Sequence, residues 1–301
     1  MSPIDINHKY KHLWSSDVRY YICTGGRGSG KSFAVDLFLS HLTFERDHRV
    51  LFTRYTMSSA HLSIIPEFVE KVELLGAESY FNVNKTEVRN ETTGVEVLFR
   101  GIKTSNGNQT ANLKSLQGMS TWVVDEAEEL VDEAIFDTID LSIRNNKVQN
   151  RVILILNPTT KEHWIYKRFF QDNGVSQGFN GVKGDVCYIH TDYRDNITNL
   201  SDSFISGVER MRSLNPSKYN HKILGGWLDK AEGVIFENWR FGKFDETLPK
   251  VWGQDYGYSN DPTTLVKIAV DKKKRIIYLD ESLYKVGLVT DEIYESNLRE
   301  A

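Results

Sequence analysis

Gly25-Gly26-Arg27-Gly28-Ser29-Gly30-Lys31-Ser32 fills every fixed position of the pattern G-x-x-x-x-G-K-[ST]. The spacing has a physical reason. Glycines let the backbone curl until successive N–H groups point inward at phosphate oxygens, and a helix starting near Gly30 adds its positive end. Lys31 then reaches the β- and γ-phosphates, and the Ser32 hydroxyl faces Mg²⁺. An apolar run, Tyr20-Tyr21-Ile22-Cys23, leads in, and an apolar stripe of Phe33, Leu37, Phe38 and Leu42 leads out, so the loop lies between a strand and a helix.

Downstream, Trp122-Val123-Val124-Asp125-Glu126 is a short apolar strand ending in two carboxylates. Beside a phosphate loop this pair assigns Asp125 to Mg²⁺ and Glu126 to polarising the attacking water as general base. Glu128, Glu129, Asp132 and Glu133 read as the solvated, dipole-favoured start of the next helix. A third strand, Ile153-Leu154-Ile155-Leu156, runs into Asn157-Pro158-Thr159. An amide at the C-terminal edge of such a strand lies where ligands bind, so Asn157 is expected beside the γ-phosphate as a sensor of hydrolysis.

Strand and helix patterns alternate over the first part of the chain, as in an α/β fold with a largely parallel sheet. Strands are expected at Arg19–Thr24, Arg49–Thr53, Trp122–Val124, Val152–Leu156 and Val186–His190, and helices at Lys31–Leu42, Ile64–Leu75, Val131–Ile143 and His163–Phe170. Tyr80–Val83, Glu87–Asn90 and Val95–Phe99 read as an antiparallel insert turning at Thr92-Thr93-Gly94, and Ser201–Ser213 and Pro216–Leu224 as two further helices. Composition shifts near Gly225-Gly226 and Glu232-Gly233 put a domain boundary at about residue 230. Beyond it Val251–Gln254, Thr263–Val270 and Arg275–Leu279 read as a meander, its last two strands joined by Asp271-Lys272-Lys273-Lys274, with a helix over Thr290–Glu300.

Composition excludes several classes. The 301 residues are 40% hydrophobic and 26% charged, ordinary for a globular chain. Lys plus Arg total 37 against 41 Asp plus Glu, a net charge of -4, so any nucleic-acid contact must come from local patches. The longest aliphatic run, Val152–Leu156, falls far short of the ~20 residues a membrane span needs. The polar stretch Met1–Lys11 is no secretory signal, so a cytoplasmic location is expected. Cys23 and Cys187, the only two cysteines, read as small core residues. His8 and His12 have no third ligand in the sequence and do not read as a zinc site.

Together these stretches, with Asn112-Leu113-Lys114-Ser115-Leu116-Gln117-Gly118 before the acidic strand end, Gly225–Phe236 and Gly253–Leu265, resemble the large terminase subunit of tailed bacteriophages from about residue 18 onward. The resemblance implies a P-loop NTPase of the additional-strand, catalytic-glutamate type over residues 1–230, followed by the N-terminal portion of a ribonuclease H-like nuclease over residues 231–301. It implies an ATPase that drives double-stranded DNA into a procapsid, as a homo-oligomeric ring on a portal protein with a small terminase subunit, in the cytoplasm of an infected bacterium. ATP and Mg²⁺ would be its cofactors, with two Mg²⁺ or Mn²⁺ ions for a complete nuclease.

Residue by residue, Arg27 matches the family's loop arginine, acting in cis on γ-phosphate charge. Lys114 stands where some members carry a basic residue that reaches a neighbouring subunit's site, although a lysine offers a point charge rather than a fork. Asn157 corresponds to the coupling motif. Asp255, in Gln254-Asp255-Tyr256-Gly257, matches the first metal-binding carboxylate of the nuclease, with Asp280 and Glu281 the only acids ending a neighbouring strand. Two-metal cleavage needs several converging carboxylates. The chain stops at Ala301, so the nuclease is expected to be incomplete and inactive here. Two other readings stay open: a module that binds nucleotide and DNA without turnover, and a helicase-like ATPase.

Overall fold

Thr121–Val124 and Val152–Leu156 are buried at both side-chain parities, which is stable only for strands covered on both faces. They form the middle of the sheet. The computed structural model describes residues 4, 6–57, 64–104, 107–108, 118–229, 239–258 and 261–300. The chain divides into two compact units, Met1–Val234 and Ile235–Ala301.

The first unit contains strands β1 (Tyr20–Gly25), β2 (Val50–Thr56), β3 (Phe81–Val83), β4 (Glu87–Asn90), β5 (Glu96–Thr104), β6 (Gly107–Asn108), β7 (Thr121–Asp125), β8 (Arg151–Leu156), β9 (Gly181–Lys183) and β10 (Val186–Thr191). They form one sheet in the order β3-β4-β5-β2-β7-β8-β1-β10-β9, with β6 on β5. All neighbours from β5 to β10 are parallel. One strand, β8, separates the phosphate-loop strand β1 from the acidic strand β7. The fold is therefore a mixed α/β P-loop NTPase with the additional strand in place.

One face of the sheet is covered by α1 (His12–Ser15), α2 (Lys31–Leu42) and α3 (Ile64–Leu74), which bury Phe38, Leu39, Phe68 and Val72 against Val50, Phe52, Val123 and Ile153. On the other face, α4 (Glu133–Asp140) and a π-helical turn over Tyr166–Gln171 enclose Trp122, Phe136, Trp164 and Phe169. Phe136 is fully buried, stacked on Trp122 at 5.3 Å and packed on Trp164 at 4.7 Å. Each such side chain stabilises the fold by ~1.5–3 kcal/mol. Cys23 and Cys187 are free, buried core residues. Helices α5 (Asp202–Leu214) and α6 (Pro216–Lys222) form a small cluster of their own around Tyr193, Val208, Tyr219 and Ile223.

Three expectations are corrected. The three strands read as an antiparallel insert do pair antiparallel with one another, β3 with β4 and β4 with β5, but they are part of the main sheet rather than an insert, because β5 also pairs parallel with β2. The helix expected at His163–Phe170 is present over residues 164–171, but from Tyr166 to Gln171 it is π-type; α4 is shorter than Val131–Ile143 because Asp132 caps its start, accepting from Ala134 N–H. The short strands β6 and β9 carry too few residues for periodicity to register.

The second unit is an antiparallel meander of β11 (Lys250–Asp255), β12 (Thr263–Asp271) and β13 (Ile276–Lys285), followed by α7 (Thr290–Glu300). Gln254 and Asn297 exchange side-chain hydrogen bonds at 2.8 and 3.0 Å, fastening α7 to β11. Among the described residues no helix is long and apolar enough to cross a membrane.

Candidate nucleotide site

Residues 25–32 leave β1 and enter α2 through a loop whose shape only glycine permits at its key points. Gly28 and Gly30 have φ of 78° and 80°, the left-handed region. Gly25 and Gly26 are pressed against backbone: a Cβ on Gly25 would lie 2.0 Å from the Thr191 carbonyl oxygen, and one on Gly26 would lie 1.8 Å from that of Ile223.

The loop is held by three groups outside it and by one bond of its own. Arg27 N–H donates to Lys222 O at 3.0 Å, Asn196 Nδ2 to Gly28 O at 3.0 Å, Tyr10 Oη to Ser29 O at 3.1 Å, and Ser29 Oγ to Gly26 O at 2.8 Å. Tyr10 also shares a 2.6 Å hydrogen bond with Thr191 and is buried. Such a scaffold keeps the loop's amides pre-aimed rather than ordering them on each binding event.

Lys31 lies inside this cradle, only 9% exposed. Its Nζ donates to Gly25 O, Gly26 O and Asn157 Oδ1 at 3.0 Å each and lies 3.2 Å from Ser29 Oγ. Burial pushes its pKa down from 10.5 to about 8, while Glu128, Cys23 and Asp125 pull the other way. A buried ammonium with an incomplete set of anionic partners is a ready receptor for phosphate.

At the opposite wall, Asp125 ends β7. Its Oδ2 accepts from Arg54 Nη2 at 2.5 Å and Nε at 2.7 Å. Arg54 lies on β2, with Glu126 Oε2 3.8 Å from its Nε. Glu126 occupies the left-handed region at φ 54°, rare for a residue with a Cβ and a form of strain that concentrates at functional sites. Burial raises its pKa, Arg54 lowers it, and Asp125 raises it again, leaving a carboxylate more basic than usual. Phosphate loop, Arg54, Asp125, Glu126 and Asn157 line one cleft of about 470 Å³.

The strand order explains why these groups meet. Asp125 and Asn157 lie at the C-terminal ends of β7 and β8, the second and first neighbours of β1, where an open parallel sheet binds its ligands. The exposed Arg27 and the Ser32 hydroxyl line the same cleft. Asp255 ends β11 in the second unit. Register puts Asp255 and Glu281 on one face of the meander, while Asp280 lies on the other, 3.1 Å from Lys267. Among the described residues no three metal-ligating side chains converge. Lys114 falls outside the described residues.

Four participants were not identified from the sequence: Tyr10, Arg54, Asn196 and the backbone of 222–225. Arg54 was detectable, because it continues the inward parity of Val50 and Phe52, where a cation needs a partner. Glu128 is a correction. It is no solvated helix start; it sits in a 3₁₀ turn over Ala127–Glu129 that turns it inward, where Oε1 accepts from Asn157 Nδ2 at 3.1 Å.

Fold and site define a P-loop NTPase with a paired-acid strand one strand removed from its phosphate loop. A family model described as phage terminase large subunit matches residues 17–226. The chain belongs to that family. It is 22% identical over 312 residues to the PBSX phage terminase large subunit of Bacillus subtilis (strain 168), covering 97% of this chain and 70% of the relative. The terminase large subunit of Bacillus phage SPP1 is 26% identical over 293 residues, covering 89% and 65%. The chain thus spans roughly two thirds of these relatives' length. The large terminase of a thermophilic bacteriophage shares the fold at TM-score 0.60 and 17% identity, over 98% of this chain and 73% of that one. The complex of that terminase with ATP-γ-S gives TM-score 0.56 at 16% identity, over 98% and 72%.

Proposed function

We propose that this chain is the ATP-hydrolysing motor subunit of a phage terminase, moving double-stranded DNA into a procapsid. The observation that carries the reading is the convergence of Lys31, Asp125, Glu126 and Asn157 on one cleft beside a pre-shaped phosphate loop, in a chain of the terminase large-subunit family. The ATP-γ-S complex of the thermophilic phage's terminase favours ATP as the nucleotide.

The residues present fit a Mg²⁺–nucleotide. The Ser32 hydroxyl and the Asp125 carboxylate line the cleft, too few ligands to cage an ion alone, which suits a metal completed by phosphate oxygens and water. When bound, the ion would neutralise charge on the transferring phosphate. The chain's own groups do the rest. Loop amides and Lys31 bind and orient the phosphates, Arg27 supplies positive charge from the loop, and the Glu126 carboxylate takes the proton of the attacking water.

Residues 1–230 would form the motor and residues 231–301 the first part of a ribonuclease H-like nuclease, with Asp255 its first metal ligand. In this reading the protein works in the host cytoplasm as a homomeric ring on a portal protein, with a small terminase subunit as partner. A net charge of -4 leaves DNA contact to local basic groups facing the channel. Cutting is not expected of this chain alone.

The test measures ATP turnover by the assembled motor with Lys31→Ala and Glu126→Gln. Both should lose at least about a hundredfold. Full turnover in both sinks the reading, and ATP binding without phosphate release in any assembly favours a nucleotide-gated DNA-binding module instead. Plasmid cleavage that Asp255→Asn abolishes would overturn the statement about cutting.

A further inference from the structure

The proposal concerns the amide of Asn157. Its two neighbours impose one orientation. Lys31 Nζ carries donors only, so the atom 3.0 Å from it must be Oδ1. Glu128 Oε1 is an acceptor, so the atom 3.1 Å from it must be Nδ2. A flipped amide would set donor against donor on one side and acceptor against acceptor on the other, and the assignment is therefore fixed from both ends.

Glu128 is itself anchored. Its carbonyl oxygen accepts from His163 Nε2 at 3.1 Å, and His163 Nδ1 accepts from Ile165 N–H at 3.2 Å, which fixes the imidazole as the Nε2–H tautomer. The turn carrying Glu128 is thereby tied to the chain following Asn157. Among the described residues Glu128 Oε2 is buried without a hydrogen-bond partner, Oε1 takes the side-chain bond from Asn157, and the backbone amides of Glu128 and Asn157 also favour the carboxylate.

From this geometry we propose that Glu128 is a positioning residue: it turns Asn157 so that Oδ1 faces the nucleotide cleft, making Asn157 an acceptor that sets the place of Lys31 rather than a donor to the terminal phosphate. This deepens the proposed ATPase reading and rests on it. Phosphate oxygens are acceptors, so the amide in this orientation gives the γ-phosphate nothing directly. It meets the phosphate through Lys31, or accepts from the attacking water. Any response to hydrolysis then runs from phosphate to Lys31 to Asn157 to Glu128.

Two measurements test it. In the nucleotide-free protein, acylation of Lys31 by an N-hydroxysuccinimide ester is followed at pH 8 by peptide mass spectrometry. Asn157→Ala and Glu128→Ala should each speed labelling, up to about tenfold, the loss of one hydrogen bond to a charged group. The double variant should be no faster than either single, because both remove the same link. Glu128→Gln keeps an acceptor but removes a charge that favours the Lys31 ammonium, so it should label faster than wild type and slower than Glu128→Ala, which separates orientation from loss of charge. Additive effects, or Gln behaving like Ala, overturn the proposal.

Equilibrium binding of ATP and ADP without turnover is the second measurement. The ratio of the two affinities should change equally in Asn157→Ala and Glu128→Ala, which both act through Lys31, whereas a fall of about tenfold in Asn157→Ala alone would show direct donation to the γ-phosphate. If wild type bound no ATP, the functional reading would fail while the labelling result still decided whether the relay exists.

Discussion

Replacing Lys31 with methionine should stabilise the nucleotide-free protein, and the gain should fade as pH rises. Lys31 is held in a buried cradle that lowers its pKa from 10.5 to about 8. At ~1.4 kcal/mol per tenfold change in proton affinity, that is a penalty of about 3 kcal/mol at pH 7, where Lys31 is charged in both folded and unfolded chains. Because the folded pKa lies below the unfolded one, the unfolded chain binds more protons between about pH 8 and 10.5, and wild-type stability rises with pH across that window. The penalty falls to about 1.4 kcal/mol by pH 9.5. Methionine keeps the aliphatic packing and removes the ammonium. Against this, Gly25 O, Gly26 O, Ser29 Oγ and Asn157 Oδ1 lose a donor. Gly26, Ser29 and Asn157 line the cleft, where water can replace it, so the net gain at pH 7 should be about 1–2 kcal/mol. Urea unfolding of both proteins at pH 7 and 9.5 checks this, with groups common to both cancelling in the difference. The difference should shift against the variant by about 2 kcal/mol between the two pH values. A difference independent of pH, or a variant less stable at pH 7 by more than about 1 kcal/mol, refutes a desolvated Lys31.

Gly225→Ala should loosen the phosphate loop: its φ is 69°, and a Cβ there would lie 2.6 Å from the Gly25 backbone, so about 2–4 kcal/mol of unfolding free energy and a weaker nucleotide Kd are expected. Unchanged stability would show that the loop and residues 222–225 separate freely. Arg54→Leu strips Asp125, whose side chain is only 5% exposed, of its counter-ion, and should cost about 3 kcal/mol in chelator. Added Mg²⁺–nucleotide should then raise the variant's Tm more than wild type's, since the ion replaces the lost charge; an equal or smaller rise would count against Asp125 as a metal ligand. Asp36 is buried with Oδ1 unpartnered, and burial, then Asp125, hold its pKa well above the usual carboxylate range. A raised folded pKa means stability is lost as pH climbs, so Asp36→Asn should gain over wild type from acid to neutral pH in denaturant titrations, and a constant difference would refute it.

What was legible in the sequence follows from how local each constraint is. The phosphate loop could be read because each fixed position answers a demand met within eight residues: backbone curl, helix start, charge and hydroxyl. The α2 and α7 boundaries, Lys31–Leu42 and Thr290–Glu300, match the expected ones because local signals set them. By contrast, β5 looked like part of an insert because nothing local says that Val97–Gly101 will lie parallel to Val50–Arg54. Arg54 and Asp125 are 71 positions apart, and Asn157 and Glu128 29 apart, so an inward-turned charge can be suspected from parity while its partner cannot be named. Glu128 was misread for a specific reason. An acidic run before a helix ordinarily solvates, and only the left-handed Glu126 followed by a 3₁₀ turn redirects it.

The Gly225-Gly226 pair has a cause that composition does not show. It reads as an approaching boundary, yet Gly225 is needed for close approach to Gly25, and the neighbouring backbone fastens two parts of the site. Lys222 O accepts from Arg27 N–H on the phosphate loop. Leu228 N–H donates to Thr159 O and Leu228 O accepts from Lys161 N–H, a short parallel bridge just beyond Asn157. One stretch of seven residues, 222–228, is thus bonded both to the loop that would hold the phosphates and to the segment that carries Asn157. Packed backbone of this kind has little freedom to stretch. A change in spacing between β1 and the end of β8 must therefore either be absorbed by residues 222–228 or break one of these bonds, which makes this stretch, rather than the glycine loop alone, part of the nucleotide site.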